Sequence, residues 1–197
     1  MRIFFEIFDY LARGGPLMVP IMVVSLLMWS LILLQLREVW SAGQRDVGIG
    51  EALDAIRRRR PLATLSGSPF ASLVARLLGA MGESRSENAA LLETLVERES
   101  ERLGRYINYI YVLATIAPLL GLLGTVQGMI STFDAISIFG TGNPRALANG
   151  ISEALITTQS GLFVSIPGLF MAGFLRRRVL RIGQRLHEFR AAVLQTM

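Results

Sequence analysis

Residues 106–133 read YINYIYVLATIAPLLGLLGTVQGMISTF, 28 consecutive positions without a charged side chain between Arg105 and Asp134. A bilayer hydrocarbon core of ~30 Å asks for ~20 apolar residues in a helix, so this stretch is long enough to cross it. Positions 114, 118, 121, 125, 128 and 132 within it are Ala, Pro, Gly, Thr, Gly and Thr. Alternating steps of four and three put all six on one helix face. The stretch therefore reads as a membrane span with one face of small side chains.

Two further stretches pass the same length test. No charge lies between Gly14 and Leu36, where 17–36 forms the apolar run, and 22 uncharged residues separate Glu153 from Arg176. The first run is longer than the ~7–15 apolar residues of a secretory signal, and Arg37-Glu38-Val39-Trp40 follows it in place of a small-residue cleavage site, so a retained span is expected. The composition agrees: 52% of residues are hydrophobic and 18% charged, a balance unlike that of a soluble domain. There are no cysteines and one histidine, His187, which leaves no thiol nucleophile or disulfide and makes an all-protein zinc site improbable.

All 20 basic residues are arginine: two in 1–13, eleven in 37–105, one in 134–153 and six from 176 onward. The excess of arginine on cytoplasmic segments then places 37–105 and the tail inside the cell and the N-terminus outside. Arg176, Arg177 and Arg178 read as an anchor at the cytoplasmic leaflet, where each basic side chain gains ~1 kcal/mol against anionic lipid. With that use for the arginines, nucleic acid is not an expected partner. The expected architecture is an all-α integral membrane protein with three transmembrane helices and long helices extending into the cytoplasm. Residues 1–16 are a periplasmic amphipathic helix, 17–36 the first span and 37–105 a cytoplasmic helical region. The second span is 107–133, followed by a periplasmic loop 134–153, the third span 154–175 and a cytoplasmic helical tail 176–197.

In 1–13 the pairs Arg2/Glu6 and Asp9/Arg13 are spaced i,i+4 among aromatic and aliphatic residues, as in a helix lying on the membrane surface. In the cytoplasmic region Pro61, Gly67 and Pro69 separate a helix near 50–60 from the apolar stretch 70–81. Ser84 with Glu87 forms a capping-box pattern, and Glu101 with Arg105 a favourable pair, on a helix expected to run unbroken from about 85 to 133, ~73 Å at ~1.5 Å per residue. Val179, Leu180, Ile182, Leu186, Phe189 and Val193 recur at helical spacing in the tail, a face suited to packing on that stalk. His187, on the same helix, reads as a solvated or packing residue.

The third span repeats the pattern of the second: positions 154, 158, 161, 165, 168 and 172 are Ala, Thr, Gly, Ser, Gly and Ala. Gly121, Gly128, Gly161 and Gly168 are candidates for close helix contact, and Pro118 and Pro167, each of which removes a backbone donor, either kink their helices or are tolerated by neighbours. Thr125, Thr132, Thr157, Thr158 and Ser165 put hydroxyls on or beside these stripes and are candidate pore-lining residues, since uncharged groups that donate and accept can hold water. Spans two and three are then expected to look inward while span one faces lipid. Plain packing of small faces, with no conduction, is the competing reading.

No Asp, Glu, Lys, Arg or His lies inside the three uncharged stretches. Intramembrane ionisable groups are the usual proton carriers, so this chain is expected not to relay protons through its own side chains. Nor does it carry HExxH, GxSxG or an intramembrane aspartate pair, and it is not expected to be an enzyme or to bind a cofactor. A solitary solute transporter would need substrate-binding polar groups near the midplane and broken inverted repeats, which the sequence does not display.

Ala117-Pro118-Leu119-Leu120-Gly121-Leu122-Leu123-Gly124-Thr125-Val126-Gln127-Gly128-Met129-Ile130 with Phe133, and Gly150-Ile151-Ser152-Glu153-Ala154-Leu155-Ile156-Thr157-Thr158 through Gly161 to Pro167, resemble the ExbB/TolQ/MotA proton-channel family. The likeness covers roughly 95–180, and the three-span topology is similar to ExbB and TolQ. It implies a subunit of the bacterial inner membrane, a homo-pentamer around an ExbD-like single-span partner with a membrane aspartate, and coupling to a TonB-like or TolA-like protein. By the same resemblance Thr125 and Thr158 match pore threonines and Glu153 the acid at the periplasmic entrance. Gly173 departs from the asparagine usual after the third-span proline, and 37–83 matches little.

Overall fold

The computed structural model describes residues 10–11, 13–44, 49–57, 69–82, 84–140 and 144–196, and among these the regular structure is helical throughout. Six helices follow in order: α1 Met18–Gln44, α2 Ile49–Arg57, α3 Pro69–Ala80, α4 Arg85–Gly104, α5 Ile107–Phe139 and α6 Pro144–Thr196. Three helical segments are long and apolar enough to cross a membrane, Met18–Ala42, Arg85–Ile138 and Leu147–Gln195. The chain is an all-α integral membrane protein whose spanning helices run well past their apolar stretches.

Its contacts divide into two compact units, one of Met1–Ile32 with Asn108–Ala172 and the other of Leu33–Ile107 with Gly173–Met197. The first holds the apolar parts of α1, α5 and α6. Met18, Ile21, Met28 and Ile32 are buried on α1, Ile110, Ala114 and Ala117 on α5, and Ala154 and Ala172 on α6. The reverse faces stay open: Leu26 and Leu33 on α1, Leu119 and Phe133 on α5, and Phe163 and Phe170 on α6 are all exposed. Large apolar faces open on all three helices suit a solvent of lipid tails or further protein rather than water.

The second unit has a core of the soluble kind. Phe70, Leu73, Val74 and Leu77 of α3 meet Leu92, Val96 and Leu103 of α4 and Leu186, Phe189 and Val193 of α6. The rings of Phe70 and Phe189 pack edge to face, with centroids 5.7 Å apart, a geometry that adds to the area they bury. The helical face expected in the tail is thus used, except that Leu180 is exposed. Its apolar side chains recur every three or four residues because a 3.6-residue period returns them to one side. Phe189→Ala is expected to cost about 3–5 kcal/mol, read as early loss of this unit in hydrogen exchange.

Local details differ from the sequence reading where one hydrogen bond outcompetes another. Ser84 adopts the extended backbone of an N-cap but makes no side-chain cap bond. Asn88 is the residue that ties the turn, accepting from the Gly82 N–H at 2.9 Å and donating to the Gly82 carbonyl at 2.9 Å. The long helix is interrupted by a turn at Arg105 and Tyr106, where the Arg105 N–H donates to the Arg102 carbonyl at 3.4 Å. Arg105 lies over the Tyr106 ring, 5.6 Å from its centroid, and the Glu101 pair is not formed. Instead Arg102 pairs with Glu99 at 3.5 Å. α5 runs on to Phe139 and α6 starts at Pro144, so most of 134–153 is helical rather than loop. Of the N-terminal helix 1–16, residues 1–9 and 12 lie outside the described residues. Tyr10, Leu11 and Arg13 are helical, and the Gly14 N–H donates to the Tyr10 carbonyl at 3.3 Å.

Candidate functional site: the contact of α5 and α6

The two small-residue stripes meet each other inside one subunit. An ideal Cβ on Gly161 would stand 2.6 Å from the Ala117 carbonyl oxygen and 3.2 Å from the Gly121 Cα. One on Gly121 would stand 3.0 Å from the Thr157 carbonyl oxygen and 3.1 Å from the Thr158 Cα. One on Gly128 would stand 2.6 Å from the Gly150 carbonyl oxygen. As the residue number rises on α5 it falls on α6, so the helices are antiparallel with backbone against backbone. Only glycine allows this approach, as in small-xxx-small packing within membranes. On the next turns the Thr132 hydroxyl fills the space at Gly150 and the Thr157 side chain that at Gly124, while Gly168 receives the Met28 sulfur of α1. Gly124 and Gly150 lie outside the sequence-read glycine set. The alternating spacing, continued back from Ala154, lands on Ile151 and so misses Gly150.

This arrangement sorts the hydroxyl residues. Thr132, Thr157 and Ser165 are buried. Thr132 donates to the Gly128 carbonyl at 2.8 Å and Thr157 to the Glu153 or Ala154 carbonyl at 3.0 Å, each back onto its own helix. Thr132 and Thr157 thus fill the spaces at Gly150 and Gly124 within the helix contact. Thr125 and Thr158 are different. Both are half-buried, at the margin of the contact. Thr125 donates to the Leu122 carbonyl at 2.7 Å, and Thr158 has two carbonyls in reach, Ala154 at 3.1 Å and, across the contact, Gly121 at 3.2 Å. With one proton each, these hydroxyls keep lone pairs free to accept.

Pro118 and Pro167 sit inside α5 and α6 and are half-buried. Glu153, also half-buried, lies against Gly15, whose φ of 69° is in the left-handed region. A side chain there would be strained and would also displace the Glu153 carboxylate. Beside this turn a cavity of about 360 Å³ is lined by Tyr10, Met18, Ile21 and Ser25 on one side and Gln159, Ser160 and Phe163 on the other. The Tyr10 hydroxyl donates across it to Gln159 Oε1 at 3.3 Å. In the other unit, Arg176 and Arg177 are exposed and Arg178 stacks on Phe174 at 5.7 Å. Among the described residues no cluster of three or more side chains is suited to hold a metal ion.

The chain belongs to the MotA/TolQ/ExbB proton channel family, whose model matches residues 59–188. It is 32% identical over 177 residues to the biopolymer transport protein ExbB-like 3 of Synechocystis, covering 85% of this chain and 84% of that protein. It is 38% identical over 99 residues to the biopolymer transport protein ExbB of Xanthomonas campestris, which spans 49% of this chain and 39% of the relative. To the Tol-Pal system protein TolQ of Haemophilus influenzae it is 35% identical over 108 residues, 55% of this chain and 45% of the other. Family and apolar helices together make it an inner-membrane protein of a proton-channel family.

Proposed function

We propose that this chain is the channel-forming, stator-like subunit of a motor driven by the proton-motive force. It works with an ExbD-like single-span partner and a TonB-like or TolA-like protein to energise a process at the outer membrane. The observation that carries the reading is chemical: its spans hold no Asp, Glu, Lys, Arg or His, while Thr125 and Thr158 keep half-exposed hydroxyls on two adjacent helices. Hydroxyls can order water, but a proton path across a membrane needs a carboxylate or its equivalent. A partner's aspartate supplies it, held in a ring of copies of this chain, a pentamer by family resemblance. The subunit itself performs no covalent catalysis.

A non-conducting assembly subunit is the second reading, and one observation favours it. The small residues of the two stripes pack against each other within the chain, and Thr132, Thr157 and Ser165 are buried. Purifying the intact complex from native membranes and weighing it separates the two. The motor reading expects five copies with a single-span, aspartate-bearing subunit bound, whereas a complex without such a subunit supports the scaffold.

The orientation proposed is N-terminus outside, C-terminus inside, on the arginine distribution. Because the chain has no cysteine, single cysteines labelled with an impermeant reagent on whole cells report sidedness directly. Ser41→Cys and Gln195→Cys, at exposed positions, are expected to stay unlabelled and Ser137→Cys to react. Labelling at Ser41 or Gln195 overturns the orientation.

A further inference from the structure

A polar cavity of about 180 Å³ lies in the second unit, among Glu38, Ser41 and Ala42 of α1, Pro69 and Ser72 of α3, and Glu99, Arg102 and Leu103 of α4. Its floor is a buried carboxylate: the Glu99 side chain is 7% exposed, while its partner Arg102 is 57% exposed. Glu99 Oε1 is held only loosely, by the Ser72 hydroxyl at 3.4 Å and the Arg102 guanidinium at 3.5 Å. Glu99 Oε2 accepts no hydrogen bond from the described residues. Buried carboxylates are ordinarily well supplied with donors, because an undersupplied charge out of water costs several kcal/mol. Glu99 instead opens on a cavity, which leaves Oε2 within reach of water or of a donor group.

The wall around it is rich in acceptors. Glu38 brings a second carboxylate. The Ser41 hydroxyl donates to the Glu38 carbonyl at 2.9 Å, and the single Ser72 proton is shared between the Pro69 carbonyl at 2.9 Å and Glu99 Oε1 at 3.4 Å, so both oxygens keep lone pairs to accept with. Two carboxylates outweigh one guanidinium, in a chain whose net charge is otherwise +5. A metal ion is a poor match, since only two carboxylates converge and an arginine stands beside them. A multi-donor organic cation suits the site, because its N–H groups are directional and can share the carboxylates with Arg102.

We propose that this cavity binds a guanidinium or primary ammonium group, carried either by a basic side chain of a cytoplasmic polypeptide or by a free small cation. The group takes Glu99 Oε2 as its main acceptor and Glu38 as the second. Occupancy acts on the joint before the second span: Arg102 and Leu103 line the cavity, the Arg102 carbonyl accepts the Arg105 N–H, and the Leu103 carbonyl accepts from the buried Gln35 amide. The proposal makes no use of proton conduction and stands or falls separately from it.

The test is calorimetric titration of the full-length chain in detergent with methylguanidinium, and with the peptide Gly-Gly-Arg-Gly-Gly as the same group on a backbone. Saturable binding is expected, weakened about tenfold or more by Glu99→Gln, the loss of one charge-assisted hydrogen bond. Slowed amide exchange at 102–107 in the bound state is expected with it. Should Glu99→Gln fail to fold, the half-buried Glu38→Gln carries the test, with binding expected to weaken about two- to fivefold. Tighter binding of the peptide assigns the site to a polypeptide side chain, and equal or weaker binding to a free cation. No saturation by about 10 mM, well above the millimolar affinity one such pairing supplies, or binding indifferent to both substitutions, overturns the proposal and leaves a cavity that holds only water.

Discussion

Replacing Gly161 by leucine is expected to remove folded protein from the membrane. A Cβ at this position would already stand 2.6 Å from the Ala117 carbonyl oxygen and 3.2 Å from the Gly121 Cα. The neighbours are backbone, which cannot swing aside as a long side chain would. Adding methylenes to a packed core costs about 1–3 kcal/mol even where neighbours can yield, and here α5 and α6 would have to part along their whole contact. Gly173→Leu is the matched control on the same helix, because nothing lies within 4 Å of a Cβ built there. The expected result is loss of monodisperse protein for Gly161→Leu and near wild-type yield and melting for Gly173→Leu. Equal behaviour would mean that the two stripes do not meet as described.

That contact also shows how far sequence carries. The spacing of four and three on both spans was legible because a helix returns to one face at that interval, and the glycines on those stripes do lie at a helix contact. What faces the stripe was not legible, since a row of small residues suits a neighbouring helix of the same chain, another copy or a water-filled lumen equally well. Thr132 and Thr157 fill the spaces at Gly150 and Gly124 on the facing helix, and Ser165 is buried. Elsewhere the apolar period of the tail foretold the burial of Leu186, Phe189 and Val193. The capping pattern at Ser84 foretold where α4 begins but not which side chain ties the turn, because Asn88 reaches the Gly82 backbone with two bonds at once. Gln35 was not legible, for a single amide at the end of an apolar run gives no hint that it will be fully buried and donate to the Leu103 carbonyl.

Changing Thr125 and Thr158 together to valine is expected to cut energy transduction at least about tenfold while assembly is retained. Valine keeps the shape, and the lost hydroxyl bonds return to helix carbonyls that already serve their own backbones, so the stability cost is about 1 kcal/mol each. The functional cost is larger if these hydroxyls order the water that reaches the partner's carboxylate. Uptake or envelope integrity in cells, beside the amount of complex recovered, separates the two effects. Full activity in the double variant would remove both threonines from the path.

Proton flux into liposomes under a pH gradient tests the central claim most directly, with the chain reconstituted alone, with its single-span partner, and with the partner's membrane aspartate changed to asparagine. Three spans without Asp, Glu, Lys, Arg or His predict no flux above empty vesicles for the chain alone, flux with the partner, and its loss when the aspartate is removed. Rapid flux from the chain alone, or flux indifferent to that aspartate, would contradict the account.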